Sequence, residues 1–309
     1  MSGFKPADAA LEGFRITREN PRAFGAWVGV SFIVSVLGVV IDAFMPVSIR
    51  HGLDTISADQ TLTARQLLDT LILIAPVLIL GLAVLSIMAA AVYRLIFRHE
   101  DTRFGYLRLG ADELRLMGLT TIYIGLTICL VVGVSMVAAV IVALVSVVAP
   151  AAQGFMGLVA TLFSFGVVIF VLVRLSLAPV ATFAERRISI FESWRLTRGH
   201  FWPLLGAYAL ALACIFVIGF LILVVFSGVA GAIMLATGGQ FSDVGAMLRK
   251  PESGSLRSYL SVGIIAYMLV SSVFSALYNA VIAAPGAVAY QELHGHPPGQ
   301  PLTAQPEAG

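Results

Sequence analysis

Charged residues are scarce in this chain, and their scarcity excludes a soluble protein. Asp, Glu, Lys and Arg make up 12% of the 309 residues, whereas a soluble domain contains about 25%. Hydrophobic residues make up 59%. No polar segment reaches the roughly 50 residues of the smallest independent domains. The sequence therefore predicts one membrane-embedded domain without a separate soluble domain.

Cysteine and catalytic signatures are also rare or missing. Cys129 and Cys214 lie in apolar stretches, where cysteine usually serves as a small packing residue and not as part of a disulfide or metal site. The chain has no GxSxG, HExxH or phosphate-loop motif. His294 and His296 have no nearby cysteine or carboxylate cluster that would complete a metal site. We therefore expect no enzyme activity, no metal and no cofactor, and the net charge of +2 gives no indication of nucleic-acid binding.

Long apolar stretches dominate the remaining sequence. They cover residues 23–46, 67–96, 116–149, 158–181, 203–236 and 258–289, and each exceeds the roughly 20 residues that a helix needs to cross a bilayer. The predicted fold is an all-α membrane protein with six transmembrane helices in residues 23–292. Residues 1–22 are predicted to be a cytoplasmic amphipathic segment. Residues 293–309, which contain four prolines, are predicted to be a disordered cytoplasmic tail.

Lys and Arg are divided unequally between the two sides that these spans define. Of the nineteen, thirteen lie on the side of both termini, five lie on the other side, and Arg174 falls inside the fourth stretch. Cytoplasmic loops carry an excess of Lys and Arg. Both termini are therefore predicted to be cytoplasmic, in a multi-pass protein of the bacterial inner membrane.

Three cytoplasmic segments show the apolar periodicity of a short helix, in residues 8–20, 104–115 and 189–199. In the first, Leu11 and Phe14 share one side, opposite charged residues. This pattern is typical of an amphipathic helix that lies at the membrane surface. An interfacial helix is therefore predicted before the first, third and fifth spans.

The second and third of these segments carry additional signals. Phe104 and Leu114 belong to one apolar stripe, which favours a single helix through residues 104–115. Ser189 and Glu192 have the spacing of a capping box, and Gly199 is a usual residue at a helix end. The sequence therefore predicts a capped helix that starts at Ser189 and stops near Gly199.

This regular arrangement indicates an internal repeat. The sequence FRITR in residues 14–18, before the first span, is similar to WRLTR in residues 194–198, before the fifth span. A proline follows each of them, at Pro21 and Pro203. Three related helical hairpins of the same orientation fit the pattern best.

The segment around the fourth span carries a family resemblance. The sequences RLSLAP in residues 174–179 and SWRLTRG in residues 193–199, with Glu185 and Trp202, resemble the membrane domain of glycerophosphoryl diester phosphodiesterases and its stand-alone bacterial relatives. YLRLGADELR in residues 106–115 is similar to uncharacterised members of that group. In the fused enzymes the hydrolysis belongs to a soluble barrel with a His-Arg-Gly motif, which has no match here. The resemblance therefore implies a membrane fold without that activity.

The same region supplies the first set of candidate site residues. Arg174 stands inside a span, where charges often mark functional sites, and either of two placements is open: at the interface with lipid phosphate, or in a vestibule paired with Glu185 or Asp112. Pro179 predicts a kink. The candidates for contact with a lipid or a partner are Arg174, Pro179, Glu185, Arg186, Arg187, Trp194, Arg195 and Arg198.

A second set of candidates lies on the sixth span. Tyr267, Ser271, Ser275 and Asn279 follow one another at four-residue spacing, and such a stripe either lines a polar pathway or packs against another helix. Steps of four residues drift by about 40° around a helix, which favours packing over a continuous channel.

Two functions are compatible with these features. Interfacial Arg and Trp residues favour a non-catalytic accessory, scaffolding or envelope-homeostasis protein that contacts anionic lipids and an unidentified membrane partner. The alternative is a transporter or channel for a small solute or lipid, since repeated hairpins recur in transporters. A cavity that reaches the middle of the membrane would favour the alternative.

The charge asymmetry yields a topology prediction. An alkaline phosphatase fusion at Gly309 or near Gly105 should be inactive, because both sites are predicted to be cytoplasmic. Fusions in intact cells measure this directly. Phosphatase activity from either site would overturn the orientation.

Overall fold

The computed structural model describes residues 5–44, 64–97, 103–236 and 262–293. Nine α-helices lie in these ranges. They are α1 Pro6–Glu19, α2 Pro21–Phe44, α3 Ala64–Phe97, α4 Ala111–Val148, α5 Gln153–Leu175, α6 Ala178–Glu185, α7 Ile190–Leu196, α8 Phe201–Ala236 and α9 Val262–Leu293. The predicted tail begins at residue 293, which still belongs to α9, and residues 294–309 lie outside the described ranges. The basic residues Arg50, Arg98, Arg249, Lys250 and Arg257 also lie outside them.

Six helical segments are long and apolar enough to cross a membrane, which confirms the all-α membrane fold. They are Pro21–Ile41, Ile74–Phe97, Phe104–Val148, Pro150–Glu185, Phe201–Ile233 and Val262–Leu293. Large apolar side chains such as Leu144 and Phe216 are 65% and 75% exposed, as expected of side chains that face lipid. The predicted relationship between three hairpins remains a prediction.

Helix α9 is the central element of the bundle. Ala276, Ala280, Ala284 and Ala287 are fully buried along it, and α1, α2, α3 and α8 pack around it. At Gly286 an added Cβ would lie 2.8 Å from the Tyr208 hydroxyl. Small residues allow the helix backbones to approach this closely, and the resulting van der Waals contacts stabilise helix packing in a membrane.

Burial is concentrated at one end of the bundle, which we call the packed end and define by α6, α7 and residues 103–110. Trp27, Phe97 and Phe183 are each 1% exposed there. The rings of Tyr290 and Phe97 meet edge-on with centroids 6.3 Å apart. The packed end is therefore the most extensive core in the described ranges.

The predicted interfacial helix over residues 104–115 is wrong. Residues 103–106 form a short 3-10 turn, and α4 begins only at Ala111. Gly105 has φ +64°, and an added Cβ there would lie 2.7 Å from the Cβ of Ala26. The Trp27 indole donates a 2.8 Å hydrogen bond to the Gly105 carbonyl. Packing against α2 therefore bends the chain where the apolar stripe favoured a continuous helix.

Helix α1 forms in the predicted segment but buries a different side. Its buried residues are Ala9, Ala10, Gly13 and Ile16, whereas Leu11 is 48% exposed. An added Cβ on Gly13 would lie 2.4 Å from the Cα of Val281. Because α1 packs on α8 and α9 through small residues, it is part of the bundle and not only a surface helix.

This close crossing yields a stability prediction. Gly13→Ala should lower the free energy of unfolding by about 1–3 kcal/mol or more, because α1 and α9 must separate to admit the methyl group. Thermal unfolding in detergent, followed by circular dichroism, measures the change.

Gly25→Ala is the matched control, since no atom lies within 4 Å of its added Cβ. Alanine is intrinsically better than glycine in a helix by about 1 kcal/mol, so this variant should be neutral or slightly stabilised. Equal destabilisation of both variants would contradict the crossing.

Candidate functional site

The transmembrane helix that contains Arg174 is broken at the packed end. Helix α5 ends at Leu175, and α6 begins at Ala178 with Pro179 in its first turn. Proline has no N–H, so the carbonyl of Leu175 loses its usual donor four residues on. The Tyr123 hydroxyl of α4 donates to that carbonyl instead. Pro179 therefore lies at a break in the helix, and the Leu175 carbonyl, which has no amide donor there, accepts from Tyr123.

Helix α7 supplies the other partners of the broken backbone. Ser193 Oγ donates to the Arg174 carbonyl at 2.8 Å and accepts from the Leu177 amide at 3.2 Å. Thr197 Oγ1 donates to the same Arg174 carbonyl at 3.2 Å, in a hydrogen bond that it shares with the Ser193 carbonyl of its own helix at 2.9 Å. Both side chains are fully buried. These bonds fix α7 against the break. Neither Ser193 nor Thr197 was a candidate site residue in the sequence, because nothing distinguishes them there from other residues of a short helix.

The predicted helix over residues 189–199 exists, but its capping box does not. Ser189 makes no side-chain cap on α7. Its hydroxyl donates to Glu185 at 2.8 Å, and Glu192 accepts from Arg195. Gly199 adopts φ +88° after the helix end, as the sequence suggested. The two carboxylates neutralise neighbouring basic residues and do not cap the helix.

Arg174 lies between two aromatic rings. Its guanidinium carbon is 5.4 Å from the Phe170 centroid and 5.6 Å from the Trp194 centroid, within the range of cation–π attraction. Its Nε and Nη1 atoms are buried without a hydrogen-bond partner in the described part of the chain. Of the two placements left open by the sequence, the pairing with Glu185 or Asp112 is not formed among the described residues, where Glu185 pairs with Arg187 and Asp112 with Arg115. Arg174 instead contacts the two aromatic rings.

The remaining basic candidates lie on the surface of the packed end. Arg187 donates to Glu185 at 2.8 Å, and this hydrogen bond raises the pKa of Arg187. Arg195 pairs with Glu192. Arg186 and Arg198 are exposed. The region is therefore less positive than its arginine count suggests.

A cavity of about 630 Å³ lies beside the break, between α3, α4, α5, α6, α8 and α9. Pro179, Tyr123 and Ser176 contribute to its wall, so the residues that satisfy the break also shape the cavity. Of the predicted polar stripe, Asn279 lines it, whereas Tyr267, Ser271 and Ser275 do not. The angular drift along α9 divides the stripe, as expected from the four-residue spacing.

The cavity has a closed floor and an open rim. Tyr93, Leu116 and Leu175 at the packed end are 5%, 2% and 5% exposed. Ile124 and Ile128, further along α4 from that end, are 45% and 57% exposed. Thr127 stands about 24 Å along α4 from its start, at 1.5 Å per residue. The cavity therefore closes at the packed end and opens toward the middle of the bundle.

The lining combines apolar surface with neutral polar groups. Ser86, Thr120, Tyr123, Thr127, Ser176 and Asn279 contribute hydroxyl or amide groups. No Asp, Glu, Lys, Arg or His is among the described residues that line the cavity. Ser86 and Thr120 donate to carbonyls of their own helices at 2.8 Å, which leaves their oxygens able to accept. The cavity suits an uncharged polar group attached to an apolar body.

A buried ion pair was missed in the sequence. Arg94 of α3 bonds to Glu113 of α4, and their side chains are 5% and 4% exposed. Arg94 also donates to the Tyr106 carbonyl at 3.0 Å. The sequence indicated only a topology signal at Arg94. Glu113 stands three and six residues before the buried Leu116 and Leu119, and that spacing was the signal for its burial.

The comparisons with known proteins identify no relative. No family model, curated protein or solved structure matches the chain.

The bonds of Ser193 yield a stability prediction. Ser193→Ala should lower the free energy of unfolding by about 1–3 kcal/mol, because the Leu177 amide and the Arg174 carbonyl lose a buried partner. The measurement is thermal unfolding in detergent. Ser164→Ala is the matched control, since its hydroxyl donates to a carbonyl of its own helix. A Ser193 variant as stable as this control would contradict the proposed anchoring of α7.

Proposed function

We propose that the protein is a non-catalytic carrier of an uncharged amphiphile, a lipid or lipid-like solute, which it binds in the cavity beside the α5–α6 break. The observation that carries this proposal is the cavity of about 630 Å³, which lies within the usual range for ligand sites. The transporter interpretation of the sequence is thereby favoured over a purely structural role. The charge asymmetry supports a bacterial inner-membrane location with both termini in the cytoplasm.

The composition of the wall supports an amphiphile over a charged solute. An ion transferred into this wall would lose its hydration without meeting an opposite charge, which is costly. Hydroxyl and amide groups can instead hold a neutral polar head. The rim residues Leu85, Ile124 and Ile128 are apolar and 45–57% exposed, so a lipid-like molecule can enter from the hydrocarbon.

The broken helix gives the cavity a wall that resembles transporter sites. Membrane carriers commonly build their sites from interrupted helices, where irregular backbone lines a cavity. Here the interruption at residues 176–177 is held by Tyr123, Ser193 and Thr197. This arrangement supports a carrier in which the α5–α6 segment shapes the ligand site.

A second candidate function is an accessory or scaffolding protein of the inner membrane, in envelope homeostasis, with contacts to anionic lipid or a membrane partner. Exposed Arg186 and Arg198 favour it, together with Phe191 and Trp202, which are 89% and 77% exposed nearby in the sequence. Each exposed arginine would add about 1 kcal/mol of attraction to an anionic surface. The resemblance to the phosphodiesterase membrane domain is compatible with either role and remains a prediction.

The cavity proposal predicts a specific labelling pattern. A photoactivatable long-chain alcohol added to the purified protein should crosslink to α3, α4 and α9 at the lining residues. Thr127→Trp should remove most of this labelling by filling the cavity. Asn279→Leu should weaken labelling roughly fivefold to tenfold, because it deletes one neutral hydrogen-bonding group. Peptide mass spectrometry locates the crosslinks.

Ile141→Trp provides the control, because Ile141 is on the same helix, is 44% exposed and does not line the cavity. Its labelling should match that of the wild type. Labelling spread evenly over all lipid-facing helices, or unchanged in Thr127→Trp, would refute the cavity as the binding site.

A further inference from the structure

Glu113 presents a buried oxygen without a partner. The residue lies in the first turn of α4 and is 3% exposed. One carboxylate oxygen, Oε1, binds Arg94. The other, Oε2, has no hydrogen-bond partner among the described residues. A buried carboxylate oxygen without a donor is costly, so this atom indicates a group that donates to it.

Glu113 lines an apolar groove formed by α3, α4 and the residues just before α4, which we call the Glu113 groove. Its volume is about 280 Å³, and its other lining residues are Ala83, Ile87, Leu109, Gly110, Leu114 and Met117. Leu109 and Leu114 are 84% and 69% exposed. The groove shares no residue with the larger cavity, so it is a separate site.

The groove has the shape of a site for a lipid headgroup and chain. Glu113 and Gly110 lie at the packed end, where α4 begins. Ala83 lies about 21 Å before the end of α3, at 1.5 Å per residue. Apolar residues line the space between these two levels. A ligand with a polar head at Glu113 and an alkyl chain beside Ala83 therefore matches both ends.

Glu113 is the only residue with a polar side chain among the described residues that line the groove. A water molecule at Oε2 would therefore have no second side-chain partner there, although a buried water usually makes two to four hydrogen bonds. Arg94 already neutralises the carboxylate, so a ligand with a net positive charge gains little. A zwitterionic headgroup supplies an N–H donor without adding net charge.

We propose that the Glu113 groove binds a phospholipid whose headgroup carries a primary ammonium, with that ammonium donating a hydrogen bond to Glu113 Oε2 and an acyl chain lying against Ala83 and Ile87. A primary ammonium has three N–H donors, whereas a quaternary ammonium of similar size has none. Comparing lipids with these two headgroups therefore distinguishes a hydrogen bond to Glu113 from attraction to the positive charge or contact with the acyl chain.

The test measures lipid retention by native mass spectrometry. The intact protein is reconstituted in nanodiscs with equal amounts of phosphatidylethanolamine, phosphatidylcholine and phosphatidylglycerol that carry identical chains. We expect phosphatidylethanolamine to be retained over phosphatidylcholine by roughly tenfold or more, as for loss of a charge-assisted hydrogen bond. Equal retention of these two lipids would overturn the proposal, and so would equal retention of phosphatidylglycerol and phosphatidylethanolamine.

Two tryptophan variants locate the site without breaking the Arg94–Glu113 pair. Ala83→Trp fills the groove and should reduce phosphatidylethanolamine retention to the level of phosphatidylcholine. Ile72→Trp places the same ring on α3 at a residue that is 68% exposed and outside the groove, and it should retain lipid like the wild type. Full retention in Ala83→Trp would overturn the assignment.

Glu113→Gln tests the carboxylate directly, in protein that remains folded by circular dichroism. The preference for phosphatidylethanolamine should disappear, because the glutamine oxygen accepts from Arg94 and the amide NH2 group, which is a donor, then takes the place of Oε2. If the glutamine variant unfolds, the Ala83→Trp comparison still decides the proposal. Crosslinking in the larger cavity is measured separately, so failure at one site is distinguishable from failure at the other.

Discussion

A backbone polar group in hydrocarbon needs a partner within the protein, and the break between α5 and α6 shows how much depends on meeting that need. Pro179 cannot donate to the carbonyl of Leu175, so Tyr123 must come from α4 to do so. The Arg174 carbonyl likewise takes hydroxyls from α7. These bonds draw α4 and α7 onto the broken helix. Leu116 of α4 and Leu175 of α5, which lie beside these bonds, form part of the closed floor of the cavity.

Small residues provide the second constraint. Helices in a membrane gain little from hiding apolar surface, so close backbone contact rewards Gly and Ala over Leu. Helix α1 obeys this rule: it buries Ala9, Ala10 and Gly13 against α9 and leaves Leu11 half exposed. The aqueous rule, in which the largest apolar residues face the core, predicts the opposite side. Gly25, whose GxxxG spacing resembles a packing motif, meets no neighbour, so the motif alone does not define an interface.

The sequence predicted the elements of this fold better than their contacts. Apolar length identified the six spans, and local patterns located α1, α7 and the break at Pro179. The turn at Gly105 was missed because its carbonyl accepts from Trp27, which is 78 residues away in the chain. A pattern of neighbouring residues cannot indicate a contact over that separation. The cavity was equally hidden, since six helices contribute to its wall. Arg174 was selected for its charge, but two aromatic rings determine its position, and Asn279 alone of its stripe reaches the cavity.

The two walls of the cavity are held at the packed end by different interactions. On one side, the buried Arg94–Glu113 pair joins α3 to α4, and separating such a pair exposes an uncompensated charge at a cost of about 3–5 kcal/mol. On the other, the hydroxyl groups of Tyr123, Ser193 and Thr197 bind the interrupted α5–α6 backbone, and each bond is worth about 1 kcal/mol. Because these bonds act together, the two walls resist separation by similar free energies. In the proposed carrier the floor therefore stays closed, and the ligand enters and leaves through the apolar rim.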